Sequence, residues 1–114
     1  MEATAKHRYI RQSPRKVRKT LELVRGKQVG AALNTLHFSP EKAAVVIEKT
    51  LRSAVANLMV ISDDKSIDPE SLYIVQAYVD GGPVMKRFRA ASMGRASRLR
   101  RPSAHLTIVV SDSK

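Results

Sequence analysis

Apolar positions along this chain change their period partway through. Val17, Leu21 and Val24 recur at i, i+4 and i+7 behind Ser13-Pro14 and ahead of Gly26. That spacing predicts a short amphipathic helix with Ser13 as N-cap and Pro14 in its first helical position. A second helix is predicted over 28–37, with Val29, Ala32, Leu33 and Leu36 on one stripe. Ser39-Pro40-Glu41 repeats the start signal, placing the acid in the first turn of a third helix that runs to about 61. Its broad apolar face comprises Ala43, Ala44, Ile47, Leu51, Ala54, Val55 and Leu58. Beyond the acidic turn Ser62-Asp63-Asp64-Lys65-Ser66 the pattern becomes β-prone, over 72–79 and again over 106–110, where Leu106, Ile108 and Val110 share one face. The opening segment 6–12 supplies a third strand, with Tyr9 and Ile10 its large apolar residues. The expected fold is α+β, one domain over 1–114, with three helices packed on a small antiparallel sheet.

Residues 80–104 separate the two stronger strands and carry seven basic side chains behind Gly81-Gly82-Pro83. A structureless connection of that length is uncommon inside a compact domain. A hairpin arm turning near Ser92-Met93-Gly94 accounts for it, and limbs of about ten residues reach on the order of 30 Å from the body. The arm's apolar residues, Val84, Met85, Phe88, Met93 and Leu99, are too scattered for a second core, so its order is expected to come from a partner.

Charge sharpens this picture. The 114 residues hold 21 Lys plus Arg against 10 Asp plus Glu, a net +11, and the surplus is confined to two blocks. Residues 6–27 contain nine bases and one acid, and residues 86–101 contain seven bases and no acid, whereas 28–85 is slightly acidic. With 43% apolar residues the chain still affords a core, aliphatic and modest, to which five aromatics contribute: Tyr9, Phe38, Tyr73, Tyr78 and Phe88. A solvated face normally mixes signs, whereas an acid-free block repels itself without an external anion. In the first helix Arg15, Lys16, Arg18 and Lys19 crowd the half where the dipole disfavours cations by about 0.3 kcal/mol or more each. A phosphate at the helix start reverses that sign. On the arm, Lys86, Arg87, Arg89, Arg95, Arg98, Arg100 and Arg101 suit a phosphate-lined groove, because arginine forks to phosphate and stacks on bases.

Catalytic chemistry is not in evidence. There is no cysteine, which excludes disulfides, thiolate metal sites and cysteine nucleophiles. His7, His37 and His105 lack metal-ligand spacing and read as surface or strand residues. Asp63-Asp64 reads as a solvated turn, and Gly81-Gly82 lacks the context of a phosphate loop. Neither enzyme activity nor a metal or cofactor is expected. The 43–61 stretch is interrupted by Glu48, Lys49, Arg52 and Asn57, so no membrane span is expected, and the N-terminus lacks a signal or transit pattern. A cytoplasmic protein is the expectation.

A set of ordered motifs then points to one family. They are Ser13-Pro14-Arg15-Lys16-Val17-Arg18, Val24-Arg25-Gly26-Lys27, Leu33 with Leu36-His37-Phe38-Ser39-Pro40, Ser53-Ala54-Val55-Ala56-Asn57, Val79-Asp80-Gly81-Gly82-Pro83-Val84-Met85-Lys86-Arg87, Met93-Gly94-Arg95-Ala96 and His105-Leu106-Thr107-Ile108-Val109-Val110. Spanning nearly the whole chain, they resemble the bacterial large ribosomal subunit protein family twenty-two, whose long hairpin lines the polypeptide exit tunnel. The resemblance implies a structural protein that binds several domains of the large-subunit ribosomal RNA and aids early assembly. It implies a body on the outer surface near the tunnel exit, beside neighbouring ribosomal proteins, and no homo-oligomer. The arm tip, Ala90, Ala91, Ser92, Met93, Gly94 and Arg95, would lie near the tunnel constriction, against the nascent polypeptide, where changes in the family affect macrolide response. The residues expected on RNA are Lys6, Arg8, Arg11, Arg15, Lys16, Arg18, Lys19, Arg25 and Lys27, together with the seven arm cations. Two departures stand out: Ala90-Ala91-Ser92 replaces the family's Pro-Arg-Ala, removing a cation, and Leu58-Met59-Val60-Ile61 is more apolar than usual.

Two other classes fit the charge alone. A small architectural DNA-binding protein would insert its basic arm into a groove, and a protein–protein adaptor with a basic surface would bind its partner without salt dependence.

Overall fold

The computed structural model describes residues 1–62, 67–90 and 96–112, with 85–90 and 96–101 described as backbone. In chain order the elements are β1 (Glu2–Ile10), α1 (Pro14–Leu21), α2 (Val29–His37), α3 (Lys42–Ile61), a 3-10 turn (Pro69–Ser71), β2 (Tyr73–Gly81), β3 (Met85–Ala90), β4 (Ala96–Arg101) and β5 (Ala104–Ser111). The body is a three-stranded antiparallel sheet ordered β1-β5-β2, covered on one face by α1 and α3, with α2 packed on α3.

Local sequence explains most of these elements. Ser13 caps α1, its Oγ accepting from the Lys16 N–H at 3.4 Å, and Pro14 stands first in the helix. Gly26 takes φ +78 in the turn that follows, the left-handed region open to glycine. Val17, Leu21 and Val24 are buried against the core, as are Leu106, Ile108 and Val110 from the central strand and Ile47, Leu51 and Leu58 from α3. The interior is aliphatic.

Three of the aromatics do not build it. Phe38 is 82% exposed, Tyr9 64% and Tyr78 42%, because the inward positions of the sheet are held by Ala, Val, Ile and Leu. Tyr78 occupies the alternate register opposite Thr107, on the face away from the helices. Three boundaries also differ from expectation. α1 ends at Leu21 rather than just before Gly26, so Val24 packs from the turn beyond it, and Arg18 and Lys19 stand in its last turn, where the dipole favours cations, instead of in its N-terminal half. The first strand runs over 2–10 rather than 6–12, since Ala3 and Ala5 are small enough to lie inward beneath α3 while carrying almost no hydrophobic signal. α3 starts at Lys42, with Glu41 extended as its cap residue rather than inside the first turn. Ser39 instead donates its N–H to the Leu36 carbonyl and accepts the Glu41 N–H on Oγ at 3.3 Å, so Ser39-Pro40 closes α2 instead of opening α3. At the far end of α3 Leu58 is buried while Val60 and Ile61 face outward.

The arm is a continuation of the β2–β5 hairpin. Gly81 pairs with Ala104, the ladder lapses at Pro83 and Pro102, which have no N–H to offer, and resumes with Met85 opposite Arg101 as far as Ala90 opposite Ala96. The radius of gyration is 17.3 Å and the long axis 66 Å, against about 13 Å expected for the radius of a compact chain of this length. That excess is the extended arm. The Asp63-Asp64 turn and the expected tip residues Ala91, Ser92, Met93, Gly94 and Arg95 lie outside the described residues.

Candidate nucleic-acid interface

The nine basic residues of the N-terminal block are all exposed, yet they are not equivalent. β2 lies at the sheet edge, where outward carbonyls need donors. Arg18 supplies one, its Nε and Nη2 donating to the Val79 carbonyl at 3.2 and 2.7 Å. Arg25 supplies another, from Nη2 to the Ala77 carbonyl at 2.9 Å, while its Nη1 meets Glu22 at 2.8 Å. Near the start of β2 this edge also makes backbone bonds, with Ile74 N–H on the Lys27 carbonyl and Val29 N–H on the Leu72 carbonyl. On the opposite edge Asn57 Nδ2 donates to the Thr4 carbonyl at 3.0 Å. Arg18 and Arg25, two of the residues expected on RNA, are thus also engaged by the fold itself. Arg18→Met should therefore lower thermal stability by about 1–2 kcal/mol, because the Val79 carbonyl loses both donors, a loss that chemical denaturation of the RNA-free protein will read.

Among the described residues, Lys6, Arg8, Arg11, Arg15, Lys16, Lys19 and Lys27 form no ion pair. Arg15 and Lys16 stand in the first turn of α1, which holds no acid. That helix end abuts the root of the arm: a Cβ on Gly81 would lie 4.0 Å from Pro14 Cγ. The first basic block thus lies, at the start of α1, beside the chain five residues ahead of the second, although about sixty residues of sequence separate the blocks. Along the arm the register pairs Lys86–Arg100, Phe88–Arg98 and Ala90–Ala96 alternate with Met85–Arg101, Arg87–Leu99 and Arg89–Ser97, so three basic residues fall in each set. Alternate positions of a ribbon belong to opposite faces. Arg95 lies outside the described residues.

Further residues join the surface without having been singled out in the sequence. On the sheet face away from the helices, Lys6, Arg8, Tyr9, Tyr78, Asp80, His105 and Thr107 line a groove of about 220 Å³. Tyr9 has φ +59, rare for a residue with a side chain. Its N–H donates to His105 Nδ1 at 3.1 Å, and the two rings meet edge to face with centroids 4.9 Å apart. A bulge between His7 and Ile10 in the β1–β5 pairing accompanies this turn of backbone. Neither the bulge nor the cross-strand grouping has a local sequence signal. Among the described residues no cluster of His, Asp and Glu is arranged to hold a metal ion, and no helix is long and apolar enough to cross a membrane.

The model of the family described as ribosomal protein L22p/L17e matches residues 5–111. The chain is 48% identical over 114 residues to the large ribosomal subunit protein uL22 of Halothermothrix orenii, covering all of this chain and 98% of that relative. It is 48% identical over 115 residues to the protein of the same name from Pelobacter propionicus, covering both chains completely, and 47% identical over 115 residues to that of Geotalea daltonii.

Proposed function

This chain belongs to the ribosomal protein L22p/L17e family, and on that premise we propose that it binds large-subunit ribosomal RNA through its two basic blocks and lines the polypeptide exit tunnel with its arm. Its place in the large ribosomal subunit, as a structural component of a cytoplasmic particle, follows from the family. The observation that supports the finer reading is the junction at Gly81 and Pro14, where the cationic start of α1 meets the root of the arm. Phosphate contacts position a protein on RNA. A body and an arm that share one cationic junction can follow the RNA backbone from the particle surface inward.

Within this reading Arg15, Lys16, Lys19 and Lys27 neutralise phosphates at the body, joined by Lys6, Arg8 and Arg11. Arg18 and Arg25 contribute whatever donors the β2 edge leaves them. Lys86, Arg87, Arg89, Arg98, Arg100 and Arg101 sheath the arm, and 90–95 forms the tip beside the nascent chain. The partners are ribosomal RNA, adjoining ribosomal proteins and the passing polypeptide, and the protein forms no homo-oligomer. In a cell lysate the protein should sediment with the large subunit through a moderate-salt wash. Recovery only in the free-protein fraction would sink the proposal, and equal affinity for random duplex DNA and ribosomal RNA in competition would favour an architectural DNA-binding role.

A further inference from the structure

The groove on the open face of the sheet has a composition that phosphate binding alone does not explain. Lys6 and Arg8 lie at its β1 side, but Asp80 lines it as well, and among the described residues that carboxylate forms no ion pair. A carboxylate repels phosphate and offers only acceptors. What it accepts well is an N–H of the kind found on a nucleobase edge. Tyr78, 42% exposed, supplies an aromatic surface beside it, and Tyr9, 64% exposed, stands at the same groove.

The backbone at Tyr9 strengthens the case. A left-handed conformation is unfavourable for a residue with a Cβ, and this one is sustained by the Tyr9 N–H to His105 Nδ1 bond and the edge-to-face ring contact. The strained turn keeps an exposed tyrosine at the groove instead of continuing the strand alternation. The volume of about 220 Å³ falls below the ~300–1,000 Å³ of pockets for drug-sized ligands, which suits one ring system and not a whole cofactor.

We propose that this groove receives a single unstacked nucleobase of the RNA, packed on Tyr78 and hydrogen-bonded through a base N–H to Asp80, with the adjoining phosphates on Lys6 and Arg8. The inference rests on the ribosomal-RNA reading above and adds a base-binding slot to it. Stacking of one base on an aromatic ring is worth about ten-fold or more in affinity, and it carries no counterion release.

Binding of the full chain to protein-free large-subunit ribosomal RNA, followed across a salt series, tests this. Tyr78→Ala should weaken binding about ten-fold at every salt concentration with the slope unchanged, and Tyr78→Phe should restore it. Lys6→Gln should instead make the slope shallower by about one unit. Asp80→Ala decides what the groove holds: loss of affinity is expected for a base, whereas a gain from removing the repulsive charge, or no change, overturns the proposal. Unaltered binding by Tyr78→Ala overturns it too. All three tested side chains are exposed, Tyr78 and Asp80 on β2 and Lys6 on β1, and circular dichroism of each variant reads retention of the fold. Absence of salt-dependent binding by the unaltered chain would defeat the ribosomal-RNA reading itself, a result distinct from failure of the slot alone.

Discussion

Replacing residues 83–102 with Asn-Gly should yield a folded body that has lost most of the salt-dependent part of its RNA affinity. Gly82 donates its N–H to the Ser103 carbonyl at 2.9 Å, so these two residues already stand as the closing pair of a two-residue hairpin, and Asn-Gly suits the tight turn that such a pair requires. β3 and β4 pair with each other and form no part of the β1-β5-β2 sheet, so the described core of helices and sheet closes without them. The excised segment holds seven bases and no acid. Each phosphate neutralised on duplex nucleic acid contributes about 0.9 to the slope of log affinity against log salt. If all seven engage, the slope falls by about 6, and raising salt from about 50 to about 200 mM should weaken the full chain by roughly 10³–10⁴-fold more than the shortened one. Filter binding to ribosomal RNA at a series of salt concentrations measures both slopes. Equal slopes would mean that the arm does not lie along phosphates.

How far the site was readable before the structure depends on whether its determinants were local. The start of α1 was legible because Ser13 and Pro14 act within one turn of chain, whereas its end at Leu21 came before the Gly26 signal, and the arm was legible because an acid-free run between two β-prone segments is a one-dimensional pattern. β1 was harder, since its inward residues, Ala3 and Ala5, register only once β5 lies beside them. The groove was invisible for the same reason carried further. Residues 6–9, 78–80 and 105–107 converge only through the order β1-β5-β2, in which Thr107 pairs with both Lys6 and Tyr78. Charge was readable as an amount and a position but not as a use. Arg18 and Arg25 look like their neighbours in sequence, yet their guanidinium groups hold the edge of β2. A basic block therefore includes cations that the fold itself already uses.

The second large effect is expected at the neck of the arm, where Gly82→Ala should destabilise the protein by about 2–3 kcal/mol through overpacking and a displaced hydrogen bond. A Cβ on residue 82 would stand 2.5 Å from Ser103 Oγ and 3.1 and 3.2 Å from Cε1 and Nε2 of His105. Ser103 is buried, and its hydroxyl donates to the Pro83 carbonyl at 2.6 Å. Rotating it out of the way abandons that bond, and the imidazole cannot retreat freely because its Nδ1 holds the Tyr9 N–H. For a chain of this size the melting temperature should fall by about 10 °C. Ser103→Ala alone should cost about 1 kcal/mol, the value of the lost hydrogen bond. Combining the two changes removes the closest contact, so the double variant should be more stable than the sum of the single effects by about 1 kcal/mol, the coupling expected of touching side chains. Simple additivity would show that the hydroxyl is not what the methyl meets. Because His105 also borders the base slot, Gly82→Ala should weaken RNA binding beyond its effect on folding, and Ser103→Ala should not. The glycine thus serves two ends at one position, letting the hairpin narrow into the arm and leaving His105 where it fixes Tyr9.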